Sequence, residues 1–444
     1  MKKISYFVFS AVMLFSIASC KDFLEVKPKG YVLPEKLSDY ENMLSSPTMT
    51  QTFPAELMYC TDDYYSEYAP NDRSTNANMF VWRREIDIDD QASPAIWGGM
   101  YRVIYDANVI IRHVMKAKDG SEQRKKEVLG DALLVRADAY FTLLTVFAKS
   151  YDVATATTDP GMPLITSNDV TESTPPRSRL QATLDTIINN TIQASEYLPQ
   201  NTTYRFRGTQ AAAHGLLARI YLYMGDYTNA SKYSELALKA PHQLLNYANY
   251  DDSFDMPNSD VNPEILWQRA SVDYTIPTFL LYSDELMTYY NADDLRFFLL
   301  SFSNSKGINR AAPPGRANFG VTFPELYLNV AEAAARAGNI SKAMDMVNKI
   351  REKRIKASAY QPLSAANPEA ALKIVLAERR RELAFSGQRW MDMKRLDKDG
   401  RMIEVVRMNK KTGVRLGSLV PGSKEYTFQI PTRVRNFNPK MELN

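Results

Sequence analysis

The sequence predicts a mainly α protein, a tetratricopeptide-like helical-repeat scaffold with long irregular loops and a few short strands. Three observations predict it. Apolar side chains recur at three- and four-residue steps through most of the chain, which lines one face of a helix. Two helix–turn–helix units, residues 213–239 and 326–354, repeat one plan of small residues around a central turn. Between them lie stretches rich in Pro, Thr, Ser and aromatic residues that lack this periodicity.

At the N-terminus, Lys2 and Lys3 precede a nearly uncharged apolar run over residues 4–17. At roughly 14 residues it is shorter than the ~20 needed to span a bilayer as a helix. A basic start, a short apolar core and small residues before a cut site describe a secretory signal peptide, here residues 1–19. Ile17-Ala18-Ser19-Cys20 resembles a bacterial lipobox, in which the cysteine is acylated and becomes the mature N-terminus. A signal peptide with a chance cysteine is the competing account, but the chain has only two cysteines, which makes this placement informative. Two or more acyl chains, at ~0.8 kcal/mol per buried methylene, give stable membrane residence that one chain does not.

With Cys20 lipidated, Cys60 is the only thiol left, so the core and not a disulfide must hold the fold. The formal charge of +3 is nearly balanced and gives no electrostatic case for nucleic acid, which needs a clustered basic face. No apolar stretch after Ile17 approaches membrane-spanning length.

Residues 127–147 place Leu129, Leu133, Tyr140, Leu144 and Phe147 on one helical stripe. Arg136 falls on that stripe and is expected to have a buried acidic partner, because an unpaired buried charge is costly. Residues 155–179, with four prolines, predict an extended loop, and 180–198 a further helix ended by Pro199. In the first repeat unit Ala218 and Tyr221 precede the turn Gly225-Asp226-Tyr227, then Ala230 and Ala237; in the second Ala331 and Ala334 precede Gly338-Asn339-Ile340, then Ala343 and Ile350. The units lie far apart in sequence, so no simple tandem array is expected. Such repeats bury their faces only against neighbours, and the pair at 97–149 is expected to supply one. Residues 243–324 are irregular and aromatic, and 426–430 suit a short strand. The length would allow two domains, but residues 20–444 are expected to form one.

Ordinary catalytic constellations are absent from the sequence. His113, His214 and His242 are isolated, and no HExxH, Cys/His cluster, Walker loop or GxSxG elbow exists; no metal or cofactor is expected. Asp87, Asp89 and Asp90 lack the glycine and distal glutamate of a calcium loop and suit a solvated turn. Glu378 and Glu382 could in principle serve glycoside hydrolysis, but they lie four apart among Arg379, Arg380 and Arg381, where ion pairs explain them better.

In their order along the chain, several segments resemble the SusD/RagB family of outer-membrane nutrient-binding lipoproteins of Bacteroidetes. These are Cys20-Lys-Asp-Phe-Leu-Glu25, WGGMYRVIYDAN, GDALLVRADAYF, LLARIYLYMGDYTNA, SDELMTYYNADDLR, PELYLNVAEAAARAGNISKAMDMVNKIREKR, ERRRELAFSGQRWMDMKRL and YTFQIPTRVRNFNPKMELN. The chain departs from the family at Asp131, where glutamate is usual, at Arg433-Val434-Arg435, and in being short. The resemblance implies a non-enzymatic surface lipoprotein that caps a SusC-like TonB-dependent transporter and holds an oligosaccharide, or a peptide, before import. It gives Glu382, Arg389, Trp390 and Asp392 an architectural role. Asp22 and Glu25 are similar to a surface-export signal, which implies the outer face of the outer membrane.

Polymer capture needs flat aromatic faces beside a few orienting polar groups. Residues 59–82 are aromatic, polar and weakly periodic, which predicts an exposed loop; Tyr64, Tyr65, Tyr68, Arg73, Asn76 and Trp82 are the candidate ligand-binding residues. Packing of these rings on the helices is the competing account, and the VWRREI setting of Trp82 suits it. Residues 274–290, with Phe279 and Tyr282, are a second candidate in which core is favoured. Residues 302–319 are a third, a mobile basic loop with Lys306, Arg310 and Arg316. A lipid-anchored scaffold that organises other outer-membrane proteins is the main rival to a capture protein, since tetratricopeptide surfaces usually bind polypeptides.

Overall fold

The computed structural model describes residues 34–66, 73–272, 280–311 and 313–444. The signal peptide, Cys20, Asp22, Glu25 and Tyr68 lie outside the described residues. Nine helices carry the scaffold: α1 (Ala95–His113), α2 (Glu122–Phe147), α3 (Leu180–Tyr197), α4 (Gln210–Met224), α5 (Tyr227–Ala237), α6 (Phe323–Arg336), α7 (Ile340–Arg351), α8 (Pro368–Glu382) and α9 (Arg389–Lys398). From α1 to α7 each packs on the next, and α8 packs on α6 and α7. The two repeat units that the sequence separates are therefore neighbours in space, because α5 lies against α6 and residues 243–322 leave the stack and return to it.

The same local chemistry makes both repeat turns. Gly225 (φ +76°) and Gly338 (φ +79°) take the left-handed conformation that ends a helix. The next residue, Asp226 or Asn339, accepts a hydrogen bond from the backbone N–H three residues on and so caps the following helix. Ala213, Ala218, Ala230, Ala237, Ala331 and Ala343 are fully buried, so the paired helices approach closely.

Arg136 corrects one expectation. Its guanidinium donates to two neutral amides, Asn108 Oδ1 at 2.7 Å and Asn190 Oδ1 at 2.6 Å, rather than to a carboxylate. Asn108 is held in turn by donating to the Ile165 and Ser167 carbonyls, so the arginine orients a loop anchor. The 155–179 loop also contains two short antiparallel strands, β2 (Pro160–Pro163) and β3 (Arg177–Arg179). Residues 426–430 form no strand. Phe428 and Gln429 donate their backbone N–H groups to Val146 and Arg84 carbonyls, and no partner strand lies alongside.

A four-stranded antiparallel sheet stands on the stack in the order β1 (Tyr64–Tyr65), β4 (Leu281–Tyr282), β6 (Gly307–Arg310), β5 (Ser301–Asn304). A hairpin, β7 (Val405–Met408) and β8 (Arg415–Leu419), lies nearer the C-terminus.

Buried ion pairs fasten these parts together. On α6, Glu325, Asn329 and Glu332 lie at helical spacing, all at most 1% exposed, and receive Arg219 of α4, Arg379 of α8 and Arg395 of α9. Glu378 and Glu382 of α8 take Arg296, which comes from residues 243–322, at 2.7 and 2.9 Å. Glu382 also takes Arg354 at 2.7 Å. The architectural reading of Glu382 and Asp392 matches this geometry, with Asp392 accepting from Arg379 and Arg395, each at 2.8 Å.

Burial alone would raise the Glu378 carboxyl, but the guanidiniums of Arg296, Arg381 and Arg351 hold it down to about 2. Burial would likewise raise the Asp392 carboxyl, but the guanidiniums of Arg379 and Arg395 hold it down to about 2. A carboxyl depressed in the folded state contributes stability that is present above its unfolded value and lost as pH falls through the folded one. Asp63 runs the other way: burial pushes it up to about 6 despite Arg380, so its protonation favours the fold as pH falls towards 5. Melting temperature is expected to rise slightly from pH 7 to 5, as Asp63 is protonated, and to fall steeply between about pH 4.5 and 2. Glu378→Gln, which leaves Arg296 short of a carboxylate, should cost about 3–5 kcal/mol at pH 7 and flatten that acid limb. Superimposable denaturation curves for the two proteins at pH 7 would exclude this role.

Candidate functional site

The three segments singled out by their aromatic and basic content meet in one sheet. Tyr64 pairs with Tyr282, Leu281 pairs with Asn309, and Phe302 pairs with Asn309 on its other side. Beneath them lies Phe385, from the turn between α8 and α9. Its ring meets Tyr64 edge-on at 4.5 Å and Tyr282 at 4.6 Å, and the Arg310 guanidinium lies 5.2 Å from its centroid. One ring thus touches β1, β4 and β6. Phe385 has φ +68°, a conformation costing of order 1 kcal/mol or more for a bulky residue, which these contacts must offset.

The predicted site residues are divided by this arrangement. Tyr64, Tyr65 and Trp82 are 1%, 7% and 1% exposed, so the exposed loop expected for them is not formed. The Tyr64 hydroxyl donates to Met58 Sδ. The Tyr65 hydroxyl accepts from the Lys410 backbone N–H, and the Lys410 ammonium lies 4.4 Å from its ring. Trp82 donates its indole N–H to the Cys60 carbonyl at 2.8 Å. The physical reason is Arg407, on β7. It donates to the carbonyls of Tyr59, Thr61 and Tyr64 and lies over the rings of Phe80 and Trp82. The segment's backbone is satisfied indoors, and its rings pack around the cation that does so. Arg73 remains exposed and Asn76 half-buried.

The third segment is likewise not a mobile basic loop. Asn304 accepts from the backbone N–H groups of Lys306 and Gly307, and Gly307 (φ +147°) closes the β5–β6 hairpin. Arg310 donates to the Tyr282 hydroxyl at 3.2 Å and is half-buried; Lys306 is exposed. In the second segment Tyr282 is core, as expected, while Tyr274 and Phe279 lie outside the described residues. Asp89 and Asp90 form an exposed turn, and Asp87 accepts from the Thr75 hydroxyl at 2.7 Å.

Beside the sheet is a cleft of about 170 Å3. Phe385 and Tyr247 supply its aromatic wall, and Ser259, Asn262, Arg316 and Asn318 its polar rim. Phe302 on edge strand β5 and Phe298 just before it are 41% and 65% exposed, offering ring surface to solvent. Ser259 and Asn262 were missed from sequence; the turn-rich run MPNSDVNP that carries them was the available signal. The carboxylates in the cleft, Glu264 and Glu382, are both committed to Arg354. The arrangement can hold a polar molecule by ring faces, neutral hydrogen-bonding groups and the Arg316 guanidinium. Among the described residues no group of three or more His, Cys, Asp or Glu is placed to hold a metal ion.

Phe385→Ala should remove the support of three strands and cost about 3–5 kcal/mol in denaturant titrations. Phe302→Ala, on the exposed edge, should stay within ~0.5 kcal/mol of the parent. Equal destabilisation by both substitutions would contradict the division between support and surface.

Residues 22–222 match a family model described as starch-binding associating with outer membrane, and residues 323–444 match the SusD family model. SusD-like protein P2 of Formosa agariphila is 23% identical over 476 residues, covering 89% of this chain and 91% of that protein. SusD-like protein P25 of the same organism is 24% identical over 290 residues, covering 60% of this chain and 51%, about half, of that protein's length. A SusD superfamily protein of Bacteroides thetaiotaomicron superposes with a TM-score of 0.77 at 19% identity, covering 92% of this chain and 99% of that one. The long motifs, the repeat scaffold and these matches agree: the chain belongs to the SusD/RagB family, whose members bind substrates at the outer membrane.

Proposed function

We propose that this chain captures an oligosaccharide at the cell surface and delivers it to a SusC-like TonB-dependent transporter, held at the outer membrane by lipid on Cys20. The observation that carries this reading is the assembly of three separate segments, two aromatic and one basic, into one sheet beside a cleft whose rim carries Ser259, Asn262 and Asn318 with Arg316. Rings and neutral hydrogen-bonding groups suit sugars, which present C–H faces and hydroxyls together. The starch-binding description of the matching family model supports the same cargo class. Capture without turnover is the consistent chemistry, because Glu378 and Glu382 are locked by arginines and cannot exchange protons with a glycosidic oxygen. Among the described residues no helix is long and apolar enough to cross a membrane. Arg73 and Asn76 are retained as contributors, with Phe302, Arg316 and Asn318 added.

Metabolic labelling with a radioactive fatty acid should mark the parent and leave Cys20→Ala unlabelled and released from the membrane fraction. Calorimetric titration of the mature chain with neutral oligosaccharides should show saturable binding, with the sugar recovered intact. Phe302→Ala should weaken it about tenfold, equivalent to about 1.4 kcal/mol. Binding of peptides alone, or of nothing but a barrel protein, would replace the glycan reading.

A further inference from the structure

On a different part of the molecule, the connection between α3 and α4 presents Tyr204 to solvent. Its ring is 59% exposed and lies stacked on Phe206, with centroids 5.3 Å apart and an angle of 14° between planes. The connection is nevertheless rigidly tied. Asp131 of α2 accepts from the Arg207 guanidinium and from Gly208 N–H, the latter at 2.9 Å. Arg205 donates to the Ile265 carbonyl at 2.6 Å, and the Arg205 and Phe206 carbonyls accept from Gln268 and Trp267. Gln210 N–H closes the loop onto the Pro199 carbonyl. An aromatic ring left in water on a segment fixed at both ends is a platform already paid for in entropy.

Tyr204 and Phe206 form one wall of a cleft of about 660 Å3. Its rim carries Asn42, Ser45, Asn201, Thr202 and Thr203, all exposed. The charged side chains of the cleft are matched with one another: Arg124 with Glu41 and Glu127, and Arg207 with Asp131. What remains for a ligand is a double ring face and a set of amides and hydroxyls, with no unmatched cation to select an anionic partner.

We propose that this cleft is a second, neutral-glycan subsite, on which a polysaccharide chain stacks on Tyr204 while another part of it occupies the sheet cleft. This rests on the glycan reading above. Two linked sites raise the affinity for long chains through effective concentration and leave that for short ones unchanged.

The test uses the full mature chain and five polysaccharides: starch, xyloglucan, galactomannan, laminarin and pectic galactan. Affinity gels and hydrogen exchange are run on the parent, Tyr204→Ala and Asn201→Ala, with melting curves to establish that each variant is folded. The expected result is that the polysaccharide that binds protects amides in residues 200–208 as well as in 302–318. Tyr204→Ala then weakens the polymer about tenfold and leaves its trisaccharide unaffected, and Asn201→Ala weakens the polymer less. Protection confined to 302–318 with unchanged affinities overturns the subsite and leaves the cargo reading standing. No binding by any of the five overturns both. Loss of co-purification with the transporter in Tyr204→Ala, at unchanged glycan affinity, overturns the subsite in favour of a protein contact.

Discussion

The capture of Arg296 and Arg354 by Glu378 and Glu382 is the interaction on which the rest of the molecule depends. Residues 243–322 interrupt the repeats and form few regular elements, so they must be held by something other than helix packing. Arg296 lies within the interruption, and Asp294 beside it supplies a further carboxylate at 2.7 Å. Arg354 follows α7 and reaches back to Glu264 and the Leu245 carbonyl, both within the interruption. The acidic pair therefore bridges scaffold and insert from a single helix. Taking such charges out of water is costly, and the geometry must be near complete to repay it. Here each guanidinium finds several oxygens, and Arg354 also lies 4.0 Å from the Tyr247 ring.

The neighbouring arginines of α8 extend the same logic to the sheet. Arg379 points inward to Asp392 and Asn329, while Arg380 reaches Asp62, Asp63 and Glu285. Asp62 is taken by Arg389 as well, with both oxygens at 2.6 Å. The Asp63 carbonyl accepts from Ser283 N–H, next to β4. The start of β1 and the end of β4 are thus both referred to α8 and α9, and Phe385, in the turn between those helices, fills the space under the strands. A sheet of two- to four-residue strands has little intrinsic stability. Its order here comes from the cations beneath it.

The helical scaffold was legible because its signals are local. Period, glycine at the turn and Asp or Asn at the cap lie within a few residues of one another, at both 225–226 and 338–339. The contiguity of the two repeat units was not legible, since nothing within either announces that its partner lies across an interruption. The burial of Tyr64, Tyr65 and Trp82 was hidden for a related reason: Arg407, which satisfies their segment's carbonyls, is 343 residues from Tyr64. Arg136 shows the limit of a correct principle. A buried cation needs oxygens, but Asn108 and Asn190 supply them without charge, and residue type alone does not separate that solution from a carboxylate. The aromatic density of the first two candidate segments and the basic content of the third pointed to where the sheet forms; the sequence could not say which rings would be its support and which its surface.

The outward surface follows from how the cations are used. Arg310, Arg380, Arg389 and Arg407 all serve internal oxygens or rings, so rings, amides and hydroxyls face solvent around both clefts, beside Arg316 at the first and the paired Arg124 at the second. Those faces work only if their positions are fixed, and the Tyr204 platform shows how tightly this is done. A Cβ on residue 208 would come within 2.9 Å of Asp131 Oδ1, so only glycine lets the loop descend far enough for its N–H to reach that carboxylate. The position of an exposed ring is thereby set by a buried acid and a missing side chain. At both clefts, charge buried in the protein fixes the rings, amides and hydroxyls offered at its surface.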